Sequence, residues 1–151
     1  MYKVTKIEGK GLGCVATSDI KKGSLILMES PQLCVGRGGT SMWIKHLLKS
    51  FYQMSKTDQH EFMTLYNRFN NFQNFQNSED EDIQNLKEIL AKMVEICKLE
   101  IGKFEQDPEK AEKILEICGI YSSNSFDEGF CVKMSRFNHS CKSNAYSIGV
   151  N

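Results

Sequence analysis

Two hydrophobic periods divide the chain. From Tyr2 to about residue 36, β-prone residues come in short runs: Tyr2, Val4, Thr5 and Ile7, then Cys14-Val15-Ala16-Thr17, then a Leu- and Ile-rich run from Ser24 to Ser30. Gly9-Lys10-Gly11-Leu12-Gly13, the turn Asp19-Ile20-Lys21-Lys22-Gly23, and Pro31 punctuate them, which predicts three short strands. From Thr40 the period lengthens to three and four. Trp43, Ile44, Leu47, Leu48, Phe51 and Tyr52 predict a helix capped by Thr40-Ser41. Ser55-Lys56-Thr57-Asp58 offers a second helix start, followed by Phe62, Leu65, Tyr66 and Phe69. Asn and Gln dominate from Asn67 to Asn77, and that segment reads as a loop.

Ile83, Leu86, Leu90, Met93, Cys97 and Ile101 share one face of a long helix predicted from about Glu79 to Lys103. Asp107-Pro108 reads as a cap and first helical residue, and Gly119 as the stop of that helix. Residues 119–151 return to strand and loop: Ile120-Tyr121, then Gly129-Phe130-Cys131-Val132, then the alternation Tyr146, Ile148, Val150. Strands on either side of a helical block predict an α+β fold in one domain. Its parts are strands over 1–39, a helical insert over 40–118, and a returning region over 119–151.

Composition narrows the function classes. The chain has 151 residues, with 19 Lys plus Arg against 19 Asp plus Glu. That balance argues against a direct nucleic-acid partner or an anionic membrane surface, either of which needs a basic excess. No apolar run approaches the roughly 18 residues of a membrane span, and Met1 to Lys6 lacks the apolar core of a secretion signal. Six cysteines occur without a Cys-x-x-Cys pair. The spacing suits neither a zinc finger nor a disulfide scaffold, and predicts reduced thiols in the nucleus or cytoplasm.

Candidate chemistry concentrates in Ser135-Arg136-Phe137-Asn138-His139-Ser140-Cys141-Lys142-Ser143-Asn144. Asn138 offers two donors and an acceptor, and His139 a ring donor and acceptor. Cys141 is a metal ligand, a nucleophile or a small apolar side chain by its chemistry alone. On residue types the stretch is either a ligand site or a turn satisfied by its own side chains. The early glycines are open in the same way: a hairpin or bulge, or a backbone that lets a ligand come close.

Arg136 to Cys141, with Asn144 three residues on, resembles the Asn-His-Ser-Cys signature of SET-domain protein-lysine methyltransferases. The likeness is to the SMYD-like branch, which has proline where this chain has Ser143. The glycine turn followed by Ala16-Thr17-Ser18-Asp19-Ile20-Lys21-Lys22-Gly23 and Glu29 is similar to the opening of such a domain, and Asn124-Ser125-Phe126 to its approach to the signature. The helical block stands where the family carries its variable insert. Between Cys34 and Cys97 only His46 and His60 could serve as ligands, so the MYND zinc finger of SMYD relatives is absent.

The resemblance implies a SET-type β-fold with a large helical insert. It implies transfer of a methyl group from S-adenosylmethionine to lysine on a histone or other protein. It places Lys10, Gly11, Leu12, Gly13, Asn124, Phe126, Ser135, Asn138 and His139 around the cofactor, with the signature threaded through a loop. It makes Cys141 a zinc ligand only together with cysteines beyond Asn151, so zinc belongs to a longer form. The family's channel tyrosine also lies in a later segment. No catalytic residue is assigned for that reason, and the expectation is a fragment with reduced or no activity. The alternative is a non-catalytic interaction module that uses the helical insert. Zinc binding or Cys-His hydrolysis through Cys131, His139 and Cys141 lacks the usual ligand spacing and a built triad.

Overall fold

Short β-prone runs around a glycine cluster fold into a hairpin: β1 (Tyr2–Ile7) pairs antiparallel with β2 (Gly11–Ala16), Tyr2 opposite Ala16 and Ile7 opposite Gly11. The computed structural model describes residues 1–8, 10–35, 39–71, 81–126 and 129–148. Among them this hairpin is the one sheet.

The third predicted strand does not form. Residues 24–30 take no regular structure, and Leu25 and Met28 are 68% and 83% exposed. A strand needs a partner ladder, and Pro31 removes a donor where the run ends. Pairing begins only at Leu33, in an isolated antiparallel bridge to Phe130.

The helical period is realised in α1 (Thr40–Gln53), α2 (Lys56–Met63), the single turn α3 (Arg68–Asn71), α4 (Glu81–Gly102) and α5 (Pro108–Asn124). In α1 the stripe Ile44, Leu47 and Phe51 is buried. Extended Gly39 occupies the cap position, so Thr40 and Ser41 lie inside the helix and neither hydroxyl caps it. Ser55 caps α2 as its sequence predicts: its Oγ accepts from the Asp58 amide at 3.1 Å and donates to Asp58 Oδ2 at 2.7 Å. Asp107 caps α5, accepting from the amides of Glu109 (3.0 Å) and Lys110 (3.4 Å). The Lys110 amide, together with these neighbours, holds the Asp107 carboxyl below the usual carboxylate range.

Helix α5 runs past its predicted stop to Asn124, taking Ile120 and Tyr121 with it. Gly119 is a packing position instead. A Cβ there would collide with the Asn67 side chain and lie 2.9 Å from Phe69 Cδ2. The gap lets Asn67 in: its Nδ2 donates to Glu116 O (3.4 Å), and its Oδ1 accepts from the Phe69 amide (2.9 Å). Those bonds start α3 inside the predicted Asn/Gln loop. Its remainder, with Phe72 and Phe75, lies outside the described residues.

The core joins the helices to the chain's two ends. Phe51 and Phe62 have ring centroids 5.2 Å apart, Phe62 and Phe130 4.8 Å, and Phe130 and Tyr121 5.8 Å. Leu33, Ile44, Ile117 and Val132 close around them. On α4 the buried side is Leu90, Cys97 and Ile101, whereas Leu86, expected with them, is 46% exposed. Cys118 of α5 shares a hydrogen bond with Cys97, and that bond with burial pushes the Cys118 thiol up. No described helix is long and apolar enough to cross a membrane. The architecture is α+β.

Candidate functional site

The signature is anchored at both ends of one short turn. After buried Phe130, Cys131 and Val132, the chain makes a 3-10 turn, Met134–Arg136. A turn this short leaves its first amides without internal partners. Glu29 supplies them: its Oε1 accepts from the Lys133 amide (3.1 Å) and its Oε2 from the Met134 amide (2.9 Å). Gln32 steadies Glu29 by donating to Oε1 at 2.8 Å, and its own Oε1 accepts from the Val132 amide at 3.1 Å.

At the far end, the Arg136 guanidinium donates to the carbonyls of Thr64 (3.2 Å) and Glu61 (3.3 Å), and to Thr64 Oγ1. It thereby meets carbonyls at the C-terminal end of α2, where a cation is favoured. Phe137 then packs edge-on against Tyr2 of β1, centroids 5.4 Å apart. These contacts set Asn138 on β2. Gly13 is buried, and a Cβ on it would fall on the Asn138 amide nitrogen and lie 2.7 Å from Ile7 Cδ1. Residues 125 positions apart thus meet because one of them has no side chain.

The other expected site residues fall in four places. Lys10, Gly11 and Leu12 form the exposed approach to Gly13. Asn124 and Ser135 meet each other, as the Ser135 hydroxyl bonds to Asn124 O (3.0 Å) and to Cys131 O (2.7 Å). The Asn124 amide donates to Tyr66 O and Ile120 O, both at 2.7 Å, which closes the end of α5. Phe126 is 39% exposed and bridges to Gly129. His139 is exposed, with Nε2 3.4 Å from Cys141 Sγ.

Threading of the signature through a loop, implied by the family resemblance, is not what these residues do. Every residue from Asn138 to Ile148 is exposed. The bonds there are local, such as the Lys142 amide to Ser140 Oγ at 3.3 Å. Tyr146 and Ile148, expected in a strand, are 87% and 70% exposed without one, and Val150 lies outside the described residues.

Chemically the site can bind and orient. Cys14 is half-buried near Arg136; burial pushes its thiol up more than the guanidinium pulls it down, so it is no activated nucleophile. Among the described residues, no three His, Cys, Asp or Glu side chains gather to hold a metal ion. A cleft of about 310 Å³ under the 3-10 turn is lined by Tyr2, Val4, Glu61, Val132, Lys133 and Arg136. It adjoins the anchors but not Asn138 or His139. The sequence marks Glu29 only by its place after the glycine turn and Gln32 only as an amide beside Pro31; neither shows the anchoring role, because their partners lie about a hundred residues away.

No protein-family model, curated protein or solved structure matches the chain.

Proposed function

We propose that this chain is the cofactor-binding part of a SET-type protein-lysine methyltransferase of the SMYD-like branch, without the MYND finger. One observation carries the proposal: Gly13 of the glycine turn and Asn138 of the signature, remote in sequence, share one small space. The missing side chain at Gly13 lets the Asn138 amide, with its donors and acceptor, lie directly on the glycine-bearing strand, as a ligand site shared by the two segments requires.

In this reading the backbone of Lys10, Gly11, Leu12 and Gly13 receives the amino-acid end of S-adenosylmethionine. The Asn138 amide and the His139 ring hydrogen-bond it from the other side. Ser135 and Asn124 hold the turn that aims them, and Phe126 offers exposed apolar surface. Once bound, the cofactor supplies an electrophilic methyl group to a lysine of a protein substrate. The residues named position it for that transfer. A catalytic tyrosine is not assigned in this chain, so binding rather than turnover is the activity proposed for it. Zinc through Cys141 would require further cysteines.

Calorimetric titration of S-adenosylmethionine into the 151-residue chain tests this. A saturable 1:1 isotherm, displaced by S-adenosylhomocysteine, is expected. A flat titration of correctly folded protein would remove the proposal. The second reading, an interaction module, is favoured by one observation, the apolar side that α4 turns to solvent.

A further inference from the structure

Helix α4 is apolar on two sides, and the core uses one. Leu90, Cys97 and Ile101 face inward. Leu86, Ile89, Ile96 and Leu99 are 46%, 56%, 48% and 63% exposed, with half-buried Met93 among them. A contiguous apolar stripe of this kind marks an interaction surface more often than a solvated face.

The stripe also carries a register. Asp82, Ile89, Ile96 and Lys103 are spaced seven apart, the repeat that keeps residues on one line between two paired helices. The order along that line is acid, apolar, apolar, base, and its midpoint lies between Lys92 and Met93. Turning a second identical helix end for end about that midpoint sets Ile89 against Ile96 twice and Asp82 against Lys103 twice. A parallel pair in register would set Asp82 on Asp82 and Lys103 on Lys103. The opposed helix dipoles favour the same arrangement.

We propose, independently of the methyltransferase reading, that α4 is a homodimerisation helix that pairs antiparallel with α4 of a second copy of this chain. The ammonium of Lys103, the first residue past α4, lies 2.6 Å from Glu100 with its side chain 64% exposed, and is then shared with Asp82 of the second copy. Ten apolar side chains, each covering on the order of 100 Å², give about 1,000 Å² in total. That is the low end for a specific interface, and it makes the dimer reversible.

Sedimentation velocity of the full chain over a concentration series tests the proposal. The mass should rise from 17.2 kDa toward twice that value. Ile89→Lys with Ile96→Lys should stay monomeric, with the thermal midpoint of the wild-type monomer retained. Asp82→Lys and Lys103→Asp should each weaken association about three- to tenfold, and the two together should restore it. This charge exchange, at two exposed positions, serves even if the isoleucine variant misfolds. A wild-type chain that remains monomeric throughout would overturn the proposal. So would a dimer indifferent to Ile89 and Ile96, or a double exchange that restores nothing.

Discussion

Alanine at both Asn138 and His139 is expected to weaken S-adenosylmethionine binding by about a hundredfold or more while leaving the fold intact. Each side chain is assigned at least one hydrogen bond to the cofactor. Losing two at roughly 1–1.5 kcal/mol each, with ligand groups left unpaired, reaches that size. Stability should hardly change, because both residues are exposed and the bond between His139 and Cys141 lies at the surface. Gly13→Ala sharpens the same test. The atoms its Cβ would displace are the tips of Asn138 and Ile7, which can swing aside at small cost to the fold. Asn138 would then no longer hold its amide where the cofactor needs it, and affinity should fall about tenfold. Isothermal calorimetry and thermal melts on the three proteins measure both effects. Equal affinities would remove Asn138 and His139 from the site.

Phe130→Ala is expected to cost about 3–5 kcal/mol of unfolding free energy, the range for emptying a buried aromatic position. Phe130 is fully buried, with rings of Phe62 and Tyr121 at 4.8 and 5.8 Å. Its backbone also ties the N-terminal segment to the returning chain: its amide donates to Leu33 O (2.8 Å), and its carbonyl accepts from the Gln32 amide (2.9 Å). A cavity there loosens α2, α5 and residues 31–33 together, a large share of a domain's typical 5–15 kcal/mol. Phe130→Leu, which refills most of the space, should cost less. Urea unfolding of the two variants gives the numbers. A loss below about 1 kcal/mol for the alanine variant would show that the core does not close on this ring.

Local signals in the sequence were reliable where local physics decides. Ser55 with Asp58, and Asp107 before Pro108, begin helices because the cap bonds lie within three residues. The hairpin of β1 and β2 follows from two β-prone runs and the glycines between them. Where a distant partner decides, the sequence was less informative. The Ser24–Ser30 run is β-prone but has no neighbouring ladder. Gly119 reads as a helix stop, yet it sits mid-helix to admit Asn67, 52 positions earlier. Leu86 has the spacing of a core residue, yet it stays 46% exposed on a side of α4 that the core does not use. In the candidate site, the polar residues from Asn138 to Cys141 were legible by their types. The carboxylate of Glu29, which holds the turn before them, was not, because nothing near Glu29 in sequence marks a bond to the amides of Lys133 and Met134.

Hydrogen exchange with and without S-adenosylmethionine tests most directly whether the glycine bend and the Asn-His pair act as one binding place. Slower exchange should appear together at the amides of Gly11 to Gly13 and of Asn138 and His139, with α4 unchanged. Protection at only one of the two segments, or at neither, would contradict a shared site.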